Sequence, residues 1–346
     1  MIPIENVYYL FCYAWGRFEE AQAVPLGASS SPDLPNLLGR VLLHGTRMLL
    51  RRGLDRGYQD FSDEIATVRG RIELGASLRL QARSVRRLVC EFDELSHDLL
   101  HNQIIKASLR RLARAQTIDP ALATELGRTA QRMPAVSDIW LERAAFARVQ
   151  LHRNNAYYDL LLRIAELAFD CLLPDNQGHG FAFHDVLRDE RKMAYVFQDF
   201  VRNFYRTEQS DFAVLPLTIQ WDGKPMAVTG AGRLPSMFTD IYLKGADRRL
   251  IIDTKYYVNA LQRNLHGSES FQSGNLYQLF AYLKNAAADP LFADCEGMLL
   301  YPLNGTSLRE TYRIQGHPIT VATIDLAQPW PTIAEDLLGL IKLAAT

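Results

Sequence analysis

At 346 residues, with 48% hydrophobic and 22% charged side chains, the chain has the makeup of an ordinary globular protein with room for two domains. A net charge of −1 excludes a generic basic coat for nucleic acid, so any DNA contact must come from a local patch. Four scattered cysteines (Cys12, Cys90, Cys171, Cys295), with no C-x-x-C pair, exclude a disulfide framework and a cysteine zinc site. The opening Met1-Ile2-Pro3-Ile4-Glu5-Asn6 is unlike a signal peptide and no apolar run approaches ~18 residues, so a cytoplasmic location without membrane contact is expected.

Residues 1–18 read as a short extended piece and then an aromatic helix, with Tyr8, Tyr9, Phe11, Tyr13, Trp15 and Phe18. That is too many aromatics for an exposed face, so the helix either packs into its own domain or docks a partner. Residues 21–36 carry Pro25, Gly27, Pro32 and Pro35 and read as a loop. Leu37 to Arg52 has helical periodicity and stops at Gly53, with Arg47, Arg51 and Arg52 on a solvated side. Arginine dominates this region: the first 150 residues hold 20 Lys and Arg, of which only Lys106 is lysine, against 17 Asp and Glu. Arginine suits bidentate contact with phosphate, yet composition bias accounts for the count equally well.

Tyr58 to Arg71 reads as extended segments and turns, and Val85 to Glu94 as a strand. Ser96 is placed to cap a helix from Leu99 to Ala115, with Ile104, Ile105, Leu109 and Leu112 inward and Arg110, Arg111 and Arg114 on the polar side. A further helix runs from Pro120 to Met133. The pattern breaks at His152-Arg153-Asn154-Asn155, and a domain boundary is expected there: an α+β domain over 1–153, followed by an α/β domain over 154–346. Helices follow at 156–173 and 189–206. His179 and His184 lie close in sequence, but no third ligand has metal spacing. No G-x-x-x-x-G-K-[ST] occurs, so the chain has no P-loop of its own.

The chemistry concentrates in one hairpin. Phe238-Thr239-Asp240-Ile241-Tyr242-Leu243 alternates like a half-buried strand. A turn at Gly245 to Asp247 leads into Arg249-Leu250-Ile251-Ile252-Asp253-Thr254-Lys255-Tyr256-Tyr257, β-branched and aromatic. Residues two apart share a face, so Asp253 and Lys255 point one way and Ile252 and Thr254 the other. Asp240 falls roughly opposite Ile251 to Asp253, with the register open because a one-residue slip flips the face. One register gathers two carboxylates and an ammonium on one patch. Such carboxylates offer hard oxygen ligands to Mg²⁺, which would neutralise phosphate charge and acidify a water, and the lysine would orient that water. A surface hairpin with solvated Asp and Lys is the alternative, but charges at the end of an apolar strand need a reason to be there.

Downstream, a helix over 270–284 sets Asn275, Gln278 and Tyr282 on one stripe opposite Leu276, Leu279, Phe280 and Leu283. Strands are expected at 297–302, 311–314 and 319–324, and a last helix at 332–343. Lys284, Arg263 and His266 are candidates for phosphate contact.

Asp240, a spacer of twelve residues and Asp253-Thr254-Lys255 resemble the core of the PD-(D/E)xK nuclease superfamily, with Thr239-Asp240 in place of the usual Pro-Asp. Ile2 to Leu10, Tyr13-Ala14-Trp15-Gly16, Gly70-Arg71-Ile72-Glu73, Phe92-Asp93-Glu94-Leu95, Asn275 to Leu283, Leu299-Leu300-Tyr301-Pro302 and Gln328-Pro329-Trp330-Pro331 carry a closer resemblance. Together they resemble the McrC family, nuclease subunits of bacterial modified-cytosine restriction systems. The resemblance implies a restriction-endonuclease-like α/β domain with a mixed central sheet flanked by helices, open at a sheet edge. It implies Mg²⁺ on Asp240, Asp253 and the Thr254 carbonyl, and Lys255 positioning the attacking water. Gln278 and Tyr282, with Asn275, would support the site or contact DNA. Gln198 stands where many relatives carry Glu, which leaves the number of metal ions open. The partner implied is an McrB-like AAA+ ring that binds GTP itself, docked and stimulated by residues 1–153, and the substrate is DNA carrying modified cytosine. A stand-alone nuclease of the same superfamily and a non-cleaving activator of the GTPase are the rival readings.

Overall fold

The computed structural model describes residues 2–17, 33–82, 87–174, 181–183, 189–223, 234–256, 260–263 and 269–342. His179, His184, Tyr257, His266, the Arg263 side chain, Val85, Arg86 and most of the 21–36 loop lie outside the described residues. The chain divides into two units, one within 24–184 and the other combining 1–23 with 185–346.

This differs from a boundary at 153/154, and packing gives the reason at both ends. Helix α1 (Ile4–Ala14) serves the second unit. The Tyr13 ring sits 5.9 Å from Phe200, 5.5 Å from Phe204 and 5.3 Å from Trp330. Asn6 Nδ2 donates to the carbonyls of Leu326 and Gln328 at 2.8 and 2.7 Å, closing a link of more than 300 residues. The aromatic helix is therefore core, not a free docking face.

Within 24–184, helix α2 (Leu34–Arg52) starts where Asp33 accepts from the Asn36 N–H and stops at Gly53, whose φ of 92° favours glycine. Strands β1 (Gly57–Ile65) and β2 (Arg71–Ile72), helix α3 (Leu74–Gln81) and strand β3 (Leu88–Ser96) follow. β1 and β3 pair antiparallel along their whole length, with β2 on the other side of β3. Helices α4 (Leu100–Ala113), α5 (Pro120–Gln131), α6 (Arg143–Ala147) and α7 (Asp159–Cys171) complete the helical part, with a short pair β4 (Leu172–Pro174) and β5 (Phe181–Phe183). α7 packs on α2 and α4, which is why residues 159–171 belong to this unit. Ser96 is not the cap of α4: its hydroxyl accepts from the Asp98 N–H, and Leu99 stands at the cap without a side-chain bond. Nor is Arg111 on the polar side, since its guanidinium lies over the rings of Phe169 and Phe181.

In the second unit, helix α8 (Glu190–Glu208), capped by Asp189, leads to β6 (Ala213–Leu215), β7 (Thr218–Ile219) and β8 (Met237–Phe238). Then come β9 (Ile241–Lys244), β10 (Arg249–Thr254), a small pair β11 (Leu261–Arg263) and β12 (Glu269–Phe271), and helix α9 (Ser273–Ala286). Strands β13 (Glu296–Pro302), β14 (Arg309–Ile314) and β15 (His317–Ile324) and helix α10 (Trp330–Lys342) close the unit. The sheet has six strands in the order β14-β15-β13-β10-β9-β6. β10, β13 and β15 run parallel as neighbours and the other pairs are antiparallel, so the sheet is mixed.

Strand alternation divides the core between its two faces. Leu250 and Ile252 of β10 join Phe197, Phe200, Phe204, Leu10 and Ile333 on one side, where α1, α8 and α10 pack. Ile251 joins Leu279 and Leu283 of α9 on the other. This period-2 logic carries Asp253 to the α9 face. No described helix is long and apolar enough to cross a membrane, and all four cysteines are buried and outside any disulfide.

Candidate active site

The hairpin register is set by Ile252 opposite Ile241 and Arg249 opposite Lys244. Extending it by one residue brings Asp240 across from Asp253, just beyond the end of β9. The site therefore lies at the carboxyl end of an inner strand. The expected sheet-edge position does not hold, because β13 and β15 pair beyond β10 on one side and β9 and β6 on the other.

Asp253 is 1% exposed. Burial pushes its carboxyl up to about 6; Lys255 opposes this and the Asp240 charge adds to it. Lys255 Nζ pairs with Asp253 Oδ2 at 2.7 Å, and among the described residues that buried oxygen has no well-aligned hydrogen-bond donor. The same ammonium donates to Gln278 Oε1 at 2.9 Å, and Gln278 Nε2 donates to Tyr282 Oη at 2.7 Å. α9 thus delivers Gln278 and Tyr282, one turn apart, to the face where Asp253 projects. Burial raises the Tyr282 phenol, which stays a neutral hydrogen-bonding group.

Asp240 is held differently. Its Oδ2 accepts from the Thr254 N–H at 2.8 Å and from the Thr254 hydroxyl at 2.9 Å. Its backbone carbonyl accepts from Arg202 Nε at 3.1 Å, and Arg202 Nη1 bonds Asp199 Oδ1 at 2.8 Å. The Lys255 N–H donates to the Leu300 carbonyl at 3.0 Å, fixing the backbone at the point where β10 ends.

Six of the expected residues are thereby joined in two groups: Asp240 with Thr254, and Asp253 with Lys255, Gln278 and Tyr282. Asn275 stands apart, buried and donating to Tyr301 Oη at 3.0 Å. Gln198 is half-buried on α8, one turn before Arg202. Lys284 is exposed on α9. Arg202 was not expected from sequence. The signal available was its i+4 spacing from Gln198, which puts both on one side of α8.

The donor set is two carboxylates, and among the described residues no group of three or more His, Cys, Asp or Glu could hold a metal ion. Two hard oxygen ligands suit a cation that keeps most of its waters, and do not suit zinc. The buried Asp253 oxygen, ion-paired to Lys255 but with no well-aligned hydrogen-bond donor among the described residues, lies opposite a second carboxylate and fits such a cation.

The family model described as McrBC 5-methylcytosine restriction system component matches residues 7–302. A curated protein of Escherichia coli strain K12, the type IV methyl-directed restriction enzyme EcoKMcrBC, is 31% identical over 341 residues, covering 98% of this chain and 97% of its own. A solved structure from Thermococcus gammatolerans, of McrB AAA+ hexamers with bound McrC, aligns at a TM-score of 0.62 with 16% identity, over 98% of this chain and 75% of that one, a likeness of fold. The matched family model, which spans most of the sequence, and the relative matched over nearly its full length place the chain in one family: it belongs to the McrBC 5-methylcytosine restriction system components.

Proposed function

We propose that this chain is the nuclease subunit of a GTP-dependent restriction complex that cleaves DNA carrying modified cytosine, with a PD-(D/E)xK-type site. The observation that carries this reading is the juxtaposition at the end of β10: buried Asp253 paired with Lys255 at 2.7 Å, with Asp240 across the hairpin. Asp240 and Asp253, with the Thr254 carbonyl, would hold Mg²⁺, which supplies charge neutralisation at phosphate and an acidified water.

The chain's own groups then have separate tasks. Thr254 holds Asp240 through two hydrogen bonds, so one oxygen is committed to the protein. Gln278 accepts from the Lys255 ammonium, and Tyr282 in turn accepts from Gln278. An ammonium bonded to an amide oxygen and paired with a carboxylate is a fixed positive charge within the site. It can orient a nucleophile and stabilise charge as it develops.

GTP would be bound by the partner. An McrB AAA+ ring is the assembly of the Thermococcus relative, and this sequence has no P-loop. Docking and stimulation of that ring would belong to the unit within 24–184, which carries no part of the site. The test pairs wild type and Asp253→Ala with an McrB-like AAA+ protein and follows GTP turnover and cleavage of methylated DNA in Mg²⁺. The variant is expected to lose cleavage and keep stimulation. Cleavage by wild type alone, without GTP, would make the chain a solitary nuclease. Stimulation without cleavage by either protein would make it an activator.

A further inference from the structure

The unit within 24–184 contains a cavity of about 190 Å³ that the proposed chemistry does not use. It is lined by Arg110 and Arg111 of α4, Arg114 just after that helix, Asp138 and Trp140 of the segment after α5, and Phe181 of β5. Each has a distinct state. Arg110 is paired to Asp138 at 2.6 Å, and Lys106 Nζ approaches the other Asp138 oxygen at 3.4 Å. Arg111 is clamped between the rings of Phe169 and Phe181, 4.5 and 4.1 Å from their centroids, and Nη2 donates to the Leu172 carbonyl. Its buried Nε has no hydrogen-bond acceptor among the described residues. Arg114 is exposed and forms no ion pair among the described residues. Trp140 is 83% exposed, the most exposed of the large hydrophobic side chains described.

Tryptophan is among the side chains that most often anchor a bound partner. Here it faces a cavity whose mouth offers a free cation, a flat π-face and a carboxylate acceptor. A ligand that uses all three needs an anion, a planar ring and an N–H or O–H donor. An acidic peptide satisfies Arg114 and can donate a backbone N–H to Asp138, but its chain leaves the ring face idle. The volume lies below the ~300–1,000 Å³ of sites that enclose a whole small molecule, so it suits one ring with the remainder of the ligand outside.

We propose that this cavity binds a nucleotide unit, with its base stacked on Trp140, its phosphate on Arg114 and a base or sugar donor on Asp138. Stacking on an aromatic side chain beside an arginine is the usual means of holding an unpaired base. The source is a DNA strand or a free nucleotide. The site is independent of the nuclease reading, since none of its residues belongs to the unit that carries Asp253.

The test uses the full-length protein in EDTA, where no metal-dependent cleavage can occur. Intrinsic fluorescence is titrated with an eight-residue oligothymidylate, thymidine 5′-monophosphate and inorganic phosphate, and oligonucleotide affinity is read separately by anisotropy. Both nucleotides are expected to quench wild type, and inorganic phosphate is not. Trp140→Leu should abolish the quench and weaken binding about 5- to 150-fold, the range of one stacked base. Arg114→Ala should weaken binding and lower the salt slope by about one. An octamer that binds more tightly than the monophosphate identifies a strand as the source; equal affinities identify a free nucleotide. The proposal is overturned if wild type shows no nucleotide quench, if phosphate competes as well as the monophosphate, or if both variants bind like wild type.

Discussion

Asp253 is the residue at which the proposed function and stability oppose each other. A carboxylate 1% exposed, with Asp240 adding repulsion, pays for its position in folding free energy whenever it is ionised. Its folded pKa of about 6 is above the ordinary value of 3.8. The native state thus holds the proton more tightly, and this stability is full below pH 3.8 and lost as pH rises through 6. Asp253→Asn removes the ionisable group and keeps the shape. The variant should lose cleavage and, in chelator, melt a few degrees above wild type at pH 8, with the gap closing towards pH 4. Melting curves across that range check it, and a gap that widens on acidification would show that Lys255 more than compensates the burial.

At the scale of elements, two helices govern the site. α9 was legible in sequence because Gln278 and Tyr282 share a stripe, and its neighbours Leu279 and Leu283 are buried against the sheet. α8 was legible as a helix, but the role of Arg202 was not, because its partner is the backbone of Asp240, 38 residues away. Nothing in composition or period encodes a side chain reaching a distant carbonyl. The same limit explains α1: its aromatic pattern announced a buried face but not that Phe200, Phe204 and Trp330 would cover it. The hairpin was readable because alternation fixed which residues share a face, and the pairing of Ile252 with Ile241 chose among the registers left open. Arg202 is expected to act as a positioning residue. Arg202→Ala should reduce cleavage about tenfold, the scale of one charged hydrogen bond, and weaken the thermal shift induced by Ca²⁺ used as a non-catalytic probe. Arg202→Lys should recover part of both. A loss of cleavage with an unchanged Ca²⁺ response would remove Asp240 positioning as the cause. Helix packing in the other unit has its own test. A Cβ on Gly45 of α2 would meet Leu161 Cδ2 of α7 at 2.2 Å, whereas one on Gly127 of α5 meets nothing within 4 Å. Gly45→Ala should cost about 1–3 kcal/mol through overpacking, and Gly127→Ala should stabilise by roughly 0.5–1 kcal/mol, as a helical glycine replaced in open space does. Chemical denaturation separates the two outcomes.

At the scale of the whole molecule, the two units should respond to acid in opposite directions. Within 24–184, His101 Nε2 lies 3.2 Å from Asp55 Oδ2, while Asp55 also accepts from Asn155 Nδ2 and its N–H donates to Tyr158 Oη. Asn102 ties the same segment through the Asp55 and His97 carbonyls. This network holds the chain where it leaves α2 for β1. Burial lowers the His101 pKa, Asp55 opposes that, and His152 lowers it again. With the folded pKa depressed, the unfolded chain takes up the proton first, so stability is full above about 6.5 and falls as pH drops through the folded value. Asp253 titrates with the reverse sign. Between pH 7.5 and 5, hydrogen exchange corrected for its intrinsic pH dependence should show α4 and α7 losing protection while β10 gains it. His101→Gln should flatten the first response and leave the second intact, and Asp253→Asn should do the converse. Exchange that moves in the same direction in both units, or a His101→Gln protein that still loses protection in α4, would place the acid sensitivity outside this network.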